Sequence, residues 1–457
     1  MTESEAIAEI ARLDLKRIEC AVSDFTSIPR GKILGTDLFL SRREVRMASF
    51  LVGITVTCNE PDRMYTHFVP RTMPDIRYVP DWRTFAVDPL AQVPTGTVLC
   101  DATGSFDSPL GETMDCAGLL PRTILKRILQ RLSDAGYTSR VAPELEFALV
   151  AVTDHGPSRT LRPAPGRAGK LAHEEPTAES LSLEAAHGQA PYFDAMWAAC
   201  EQLRIPITGF AHEATAGQYE VNFAPGEPLA QADAVFRFKN LARELGRRHG
   251  FTATFLAKPY PNDTGSGMHW HLSLQDKAGN NPFTTKKGQP SDAMRHFIGG
   301  WQRSIRGAAA IYAPYANSYF RFLDPDASPS SADWSGDNRA VAFRIPDSDA
   351  ANLRLENRLP GADINPYLLL AVMLGAGLEG LRQGLDPTEP IVGLPGKGTG
   401  PKLPMSLPEA LDALETCPIL ASVLGQPFID LYGMVKRAEV IEQEDPAFTL
   451  RTLLTRA

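Results

Sequence analysis

Four short stretches of this chain alternate apolar and charged side chains, and they restrict it to a sheet with one apolar face and one heavily charged face. They are Pro143-Glu144-Leu145-Glu146-Phe147, Tyr219-Glu220-Val221-Asn222-Phe223, Gly267-Met268-His269-Trp270-His271-Leu272-Ser273 and Leu353-Arg354-Leu355-Glu356-Asn357-Arg358-Leu359. A strand repeats every two residues, so alternate side chains share a face. Leu145 and Phe147 oppose Glu144 and Glu146. Met268, Trp270 and Leu272 oppose His269, His271 and Ser273. Leu353, Leu355 and Leu359 oppose Arg354, Glu356 and Arg358. A merely solvated face favours Lys, Thr, Ser and Gln. Here it is Glu, His and Arg, with almost no Lys, which is the inventory of a site for metals and anions.

Glu144 and Glu146 repel each other unless a cation sits between them or one is protonated. Glu213 and Glu220 add two acids on either side of Gly217, which permits a tight turn. With Glu356 as a fifth acid and His269 as an imidazole, the set suits a hard divalent cation, Mg²⁺ or Mn²⁺, better than a thiolate metal site. Metal pairs of this kind serve phosphoryl transfer. Arg321, Arg339, Arg344, Arg354 and Arg358 follow. Any one of them is explained by a structural acid partner. All five, interleaved with Glu356, point to bidentate recognition of carboxylate and phosphate. Gly265-Ser266-Gly267 lets backbone N–H groups approach a ligand, although such turns are common. There is no P-loop and no dinucleotide fingerprint.

A chain of 457 residues is too long for one small core and predicts two domains. The net charge of −8 argues against a nucleic-acid binder. The six scattered cysteines form no C-x-x-C pair, which argues against a zinc knuckle and a secreted disulfide scaffold. The acidic, amphipathic start does not read as a signal peptide, and the apolar run 367–378 is too short to span a bilayer. These features predict a protein of the reducing cytoplasm that engages no membrane.

Along the chain, residues 3–14 read as a helix, and 17–23 and 31–39 as strands about the turn signal Ile28-Pro29-Arg30-Gly31. Short β-like runs over 45–101 complete a small N-terminal domain, 1–108. The second domain, 109–457, opens on a helix over 118–135 with Gly136 as its C-cap. The Pro/Gly-rich stretch 154–191 reads as an excursion loop carrying solvated His155, His173 and His187. Helices are predicted over 192–203, 229–249 (with Phe236 and Phe238 in the core) and 367–380, the last opened by Asn365-Pro366. Ser406-Leu407-Pro408-Glu409 is a capping-box pattern.

In order and spacing, these motifs resemble the glutamine synthetase family over nearly the whole chain. The resemblance rests on Pro-Glu-Leu-Glu-Phe at 143–147, the His-Glu…Gly-Gln-x-Glu segment at 212–220, and Lys258-Pro259 with Gly265-Ser266-Gly267-Met268-His269-Trp270-His271. Asn317-Ser318-Tyr319-Phe320-Arg321, Asp337-Asn338-Arg339, Arg344-Ile345-Pro346 and Arg354-Leu355-Glu356-Asn357-Arg358 complete it. It implies an α+β fold: a small β-grasp-like N-terminal domain plus a large catalytic α/β domain with a curved, mainly antiparallel sheet. It implies ATP as a ligand and two or more metal ions per site. Glu146, Glu213 and Glu220 would hold one ion, and Glu144, His269 and Glu356 the other. Arg321 and Arg358, with the Gly265 backbone and neighbouring Thr264, would bind glutamate. Arg339, Arg344 and Arg354 would bind phosphates, with Arg339 steadying the transferring group. His271, Ser273 and Phe223 would lie by the nucleotide. Active sites would form between neighbouring subunits of stacked six-membered rings.

The departures from the family pattern bear on the acceptor. Ammonia-using members carry an Asp in an Asp-Gly-Ser-Ser segment; the corresponding Met47-Ala48-Ser49-Phe50-Leu51-Val52-Gly53-Ile54 has no acid. The flap glutamate corresponds to Ala327, and the asparagine before Gly-Ser-Gly to Thr264. The segment that holds the regulatory tyrosine of the adenylylated subtype reads Ile391-Val392-Gly393-Leu394-Pro395. The pattern resembles the branch that joins glutamate to an organic amine, with Asp324 and Asp326 as possible proton acceptors and Phe50, Leu51 and Val52 as an apolar amine pocket. Ordinary glutamine synthetase and a catalytically idle scaffold or sensor are the alternatives.

Overall fold

The computed structural model describes residues 1–155, 158–163, 180–260, 263–285, 289–323, 328–395, 398–444 and 452–456. It is built on two large sheets. The N-terminal one contains β1 (Arg17–Ser23), β2 (Pro29–Gly35), β3 (Val45–Ala48), β4 (Asp75–Pro80), β5 (Ala86–Val87) and β6 (Thr95–Thr103), in the order β2-β1-β6-β4-β3, with β5 on β6. The central β1–β6 pair is parallel and its neighbours are antiparallel, which gives the mixed β-grasp-like pattern. The strand predicted for 31–39 ends at Gly35. A helix, α1 (Glu3–Arg12), precedes β1, and a second, α2 (Thr36–Arg42), replaces the end of the predicted strand. Asp37 in its first turn favours the helix, and of the run Leu38-Phe39-Leu40 only Phe39 is fully buried. The turn lies earlier than the Pro-Gly signal: Asp24 Oδ1 accepts from the backbone N–H groups of Thr26 and Ile28 at 2.9 Å each, so Pro29 starts the strand.

A short hairpin, β7 (Ser105–Asp107) with β8 (Thr113–Asp115), leads into α3 (Cys116–Leu119) and α4 (Pro121–Asp134). The single helix predicted over 118–135 is thus interrupted at Leu120, which is extended because it precedes Pro121. Gly136 follows α4 with φ +89°, as its C-cap role requires.

The larger sheet has nine strands: β9 (Tyr137–His155), β10 (Ser158–Pro163), β11 (Ile207–His212), β12 (Gln218–Phe223), β13 (Thr252–Thr254), β14 (Met268–Asp276), β15 (Trp334–Ser335), β16 (Phe343–Arg344) and β17 (Leu355–Asn357). All its pairs are antiparallel except β15–β16. The 19-residue β9 is the spine: β12, β14, β10 and β13 all pair with it. The predicted excursion loop therefore opens as a β9–β10 hairpin and closes on α5 (Leu183–Gly188), which carries exposed His187. His173 lies outside the described residues.

Beneath the sheet run α6 (Ala190–Leu203), α7 (Pro228–Arg248), α8 (Asp292–Tyr312) and α9 (Pro366–Gln383), followed by α10 (Leu407–Glu415), α11 (Pro418–Leu424) and α12 (Gln426–Glu442). Asn365 caps α9 through bonds from the N–H groups of Tyr367 and Leu368. Ser406 caps α10, but the Glu409 carboxylate reaches the Met405 N–H rather than closing the box on Ser406. Among the described residues no single helix is long and apolar enough to cross a membrane.

The alternation read from sequence sets the layering. Leu145, Phe147, Tyr219, Val221, Met268, Trp270 and Leu272 are all fully buried. Phe147 packs on Phe193 of α6 and Phe238 of α7, with ring centroids 6.5 and 6.1 Å apart. Burying an aromatic of this size contributes about 2–3 kcal/mol, so a one-residue slip of β9 would be strongly disfavoured.

Candidate active site

Cross-strand register assembles the charged face. Glu146 pairs opposite Glu220, Glu144 lies between Asn222 and His269, and Glu356 lies between His271 and Arg344. Five strands thus deliver their functional residues to one patch.

His269 is its centre. Its Nδ1 lies 3.7 Å from Glu144 Oε2 and 3.8 Å from Glu356 Oε1; its Nε2 lies 3.7 Å from Glu146 Oε1. Burial, then the Arg358 charge, lowers its pKa and favours the neutral ring that a metal needs. Two ligand groupings result, Glu144–His269–Glu356 and Glu146–Glu220–His269, each with ligand atoms within 4.8 Å of one another. The first is the trio implied by the resemblance. In the second, His269 stands where Glu213 was predicted. Glu213 remains close enough for the Glu146 charge to add to burial in raising its pKa.

The donor set fits divalent cations on two observations. Burial, then Glu144 and Glu146, pushes the Glu220 carboxyl up to about 8, the signature of acids crowded without a counter-charge. In addition, Arg358 Nη1 donates to Glu356 Oε1 at 2.5 Å and lies 3.4 Å from His269 Nδ1, so a guanidinium nitrogen stands between two metal-type ligands.

Arginines frame the patch. Arg344 donates to Glu356 Oε2 at 2.7 Å and is gripped from behind by Asp337 at 2.6 Å. Although burial opposes it, the Arg358 charge, with the hydrogen bond from Arg344, holds the Glu356 carboxyl below its usual range. Arg354 Nε donates to His271 Nδ1 at 3.2 Å, which makes that nitrogen an acceptor and puts the ring proton on Nε2, facing Glu144 Oε1 at 3.0 Å. Although burial opposes it, the nearby His269 ring and the hydrogen bond from His271 Nε2 keep Glu144 well below the ordinary carboxylate range. Arg321 is buried and donates to the carbonyls of Leu359 (2.7 Å) and Arg358 (3.2 Å). Arg339 is exposed on a turn, and its carbonyl accepts from Arg358 Nε. Ser273 is half-buried on the His269–His271 face of β14.

One predicted role requires correction. The Phe223 ring is buried on the opposite face of the sheet, edge-on to Phe238 of α7 at 5.4 Å. It packs in the core with Val221 rather than facing the nucleotide side, because its position in β12 has the parity of Tyr219, not of Glu220. Asp324, Asp326 and Ala327 lie outside the described residues.

Gln218, a member of the 212–220 motif with no predicted role, is an organiser. Its Nε2 donates toward Glu146 Oε2 (3.2 Å) and the Gly265 carbonyl (3.2 Å), while its Oε1 accepts from the Thr215 N–H (3.1 Å). Thr215 and Thr264 share a 2.6 Å hydroxyl bond, which ties the β11–β12 turn to the glycine segment. Its sequence signal was parity: Gln218 shares the strand face of Glu220. Asp337 carried no such signal.

Two sheets with a carboxylate–histidine–arginine face of this register define an enzyme of the phosphoryl-transferring ligase class. The catalytic domain of glutamine synthetase matches residues 119–449. The chain is 30% identical over 446 residues to a glutamate–isopropylamine ligase of Pseudomonas sp, spanning 94% of this chain and 93% of that protein. It is 29% identical over 465 residues to a glutamine synthetase of Halobacterium salinarum, spanning 96% and 95%. A solved GmaS/ADP complex superposes with a TM-score of 0.81 at 25% identity, over 99% of this chain and all of that one. The chain belongs to the glutamine synthetase family of ATP-dependent ligases, which use divalent metal.

Proposed function

We propose that this enzyme joins the γ-carboxyl of glutamate to an organic amine, giving a γ-glutamylamide. A γ-carboxylate oxygen attacks the terminal phosphorus of ATP and ADP leaves; the amine nitrogen then attacks the acyl carbon, phosphate leaves, and the amine loses a proton. Glu144, His269 and Glu356 would hold one Mg²⁺ or Mn²⁺, and Glu146, Glu220 and Glu213 another. Bound there, these ions supply charge screening for phosphate oxygens.

The chain's own residues do the rest. Arg344 and Arg354 orient phosphate oxygens, and exposed Arg339 is free to reach the transferring group. Arg321 and Arg358 present guanidinium groups toward the glutamate side beside Gly265, with Thr264 fixing that segment. His271 and Ser273 flank the nucleotide on β14.

The observation that carries the choice of acceptor is the Ser49–Val52 segment, which has no acid and in which Phe50 and Leu51 are half-buried and Val52 buried. An ammonium ion selected by carboxylates would find none there, whereas an alkyl or aryl amine would find apolar surface. Such a segment would serve a neighbouring subunit's site in a ring-shaped homo-oligomer. The relative named for isopropylamine supports the same reading.

The test is phosphate release from ATP with glutamate and Mg²⁺ or Mn²⁺ across a panel of amines including ammonium. Turnover with an organic amine well above that with ammonium is the expected outcome. Turnover mainly with ammonium would make this an ordinary glutamine synthetase.

A further inference from the structure

A cavity of about 800 Å³ lies away from the carboxylates, between strands β1 and β6 of the N-terminal sheet and helix α7. Seven arginines line it against three acids, Glu19, Asp88 and Glu244. Glu244 is already paired with Arg247 and Arg248, and Arg30 with Asp24. Among the described residues, Arg17 and Arg237 have no carboxylate partner. Among the described residues, the buried Arg17 Nε, Arg30 Nη2 and Arg237 Nε find no acceptor. Leaving a buried charged donor unmet is costly, and here three elements leave such donors around one cavity. Burial lowers the pKa of Arg237 despite the opposing charges of Asp233 and Glu19.

We propose that this cavity binds a phosphate-bearing anion, independently of the reaction proposed above. Arginine forks match phosphate oxygens, and the volume is that of a nucleotide-sized site. Phe236 and Leu241 provide apolar surface for an organic moiety. The site is distinct from the catalytic face. Phe238, on another face of α7, packs against Phe147 and Phe223 beneath the sheet, so the helix and the sheet separate the cavity from Glu144 and Glu146.

The probe is inorganic tripolyphosphate, added to the intact protein in EDTA at constant ionic strength while the unfolding midpoint Tm is followed. A saturable rise in Tm is expected for the wild type and for Arg344→Gln, whose change lies on the catalytic face. In Arg17→Gln/Arg247→Gln the apparent affinity should fall at least about tenfold, with circular dichroism and oligomeric state unchanged. Should the double variant fail to fold, Arg247→Gln alone serves, since that side chain is 64% exposed. Loss of the effect in Arg344→Gln, its full retention in the cavity variants, or no rise at all would overturn the proposal. A rise with citrate but not tripolyphosphate would overturn the phosphate assignment. In the Arg344→Gln background, ATP binding more tightly than tripolyphosphate would support an organic phosphate, and equal binding a phosphate chain alone.

Discussion

Gly267 lies so close to Arg321 that a β-carbon on it would sit 2.6 Å from the arginine Nη2; the same carbon would be 2.9 Å from His269 Nε2. The glycine is therefore required by space. It lets a buried arginine and the central imidazole share one strand end.

Gly267→Ala should displace both groups by a fraction of an ångström. Misplacement on that scale costs about 100-fold in kcat/KM for glutamate. Steady-state kinetics alongside Tm would check it; an activity loss no larger than the stability loss explains would count against this role.

Proton release should accompany metal binding. Glu220 titrates near 8 in the metal-free fold, against an ordinary 4.5. Because the folded value is raised, this group favours the native state fully below 4.5, and that contribution is lost as pH rises from there through about 8. A cation needs the carboxylate, so at pH 7 binding should expel up to about one proton, and the metal-induced gain in Tm should be larger at pH 8.5 than at pH 6. Titration calorimetry in two buffers of different ionisation enthalpy reads this directly. Heats identical in both buffers would exclude it.

Glu356 is fully buried and shared by Arg344 and Arg358. Glu356→Gln keeps the shape but removes the charge that holds both arginines and completes a ligand trio. Activity should fall by about 100-fold or more and apparent metal affinity by about 10–100-fold. Removing one partner of a buried pair also costs about 3 kcal/mol of stability. Kinetics over a metal titration, with denaturant unfolding, would separate the two effects.

Phe223→Leu should leave KM for ATP unchanged, because the ring lies in the core. Phe223→Ala should cost about 3–5 kcal/mol through the cavity it leaves. A several-fold rise in KM for ATP in the leucine variant, without loss of stability, would return Phe223 to the nucleotide side.

Much of the site was legible because strand parity is a strict rule. Glu144, Glu146, Glu220, His269, His271 and Glu356 all stand on the face that alternation assigns them. Phe223 stands on the apolar face by that same parity, against the nucleotide role that the resemblance implies. What the sequence could not carry was register between strands. Nothing local indicates that Glu146 faces Glu220, or that His269 rather than Glu213 joins them in one ligand grouping. The organising roles of Gln218 and Asp337 depend on contacts that only the assembled sheet creates. In the N-terminal sheet, Leu38-Phe39-Leu40 looked like a strand because apolar runs are ambiguous until one knows how many of their faces are covered.

Arg122, at the start of α4, donates to Asp81 (3.0 Å) and Asp101 (2.5 Å) of the N-terminal sheet region and to Asp233 (2.8 Å) of α7. One guanidinium thus rivets the small sheet to the helix lying under the catalytic strands. A hinge between the two parts would have to tear a buried cation from three anions at once. The enzyme is therefore built as a single casting. Whatever the N-terminal part would offer to an adjoining copy is held to the same tolerance as the site its own chain carries.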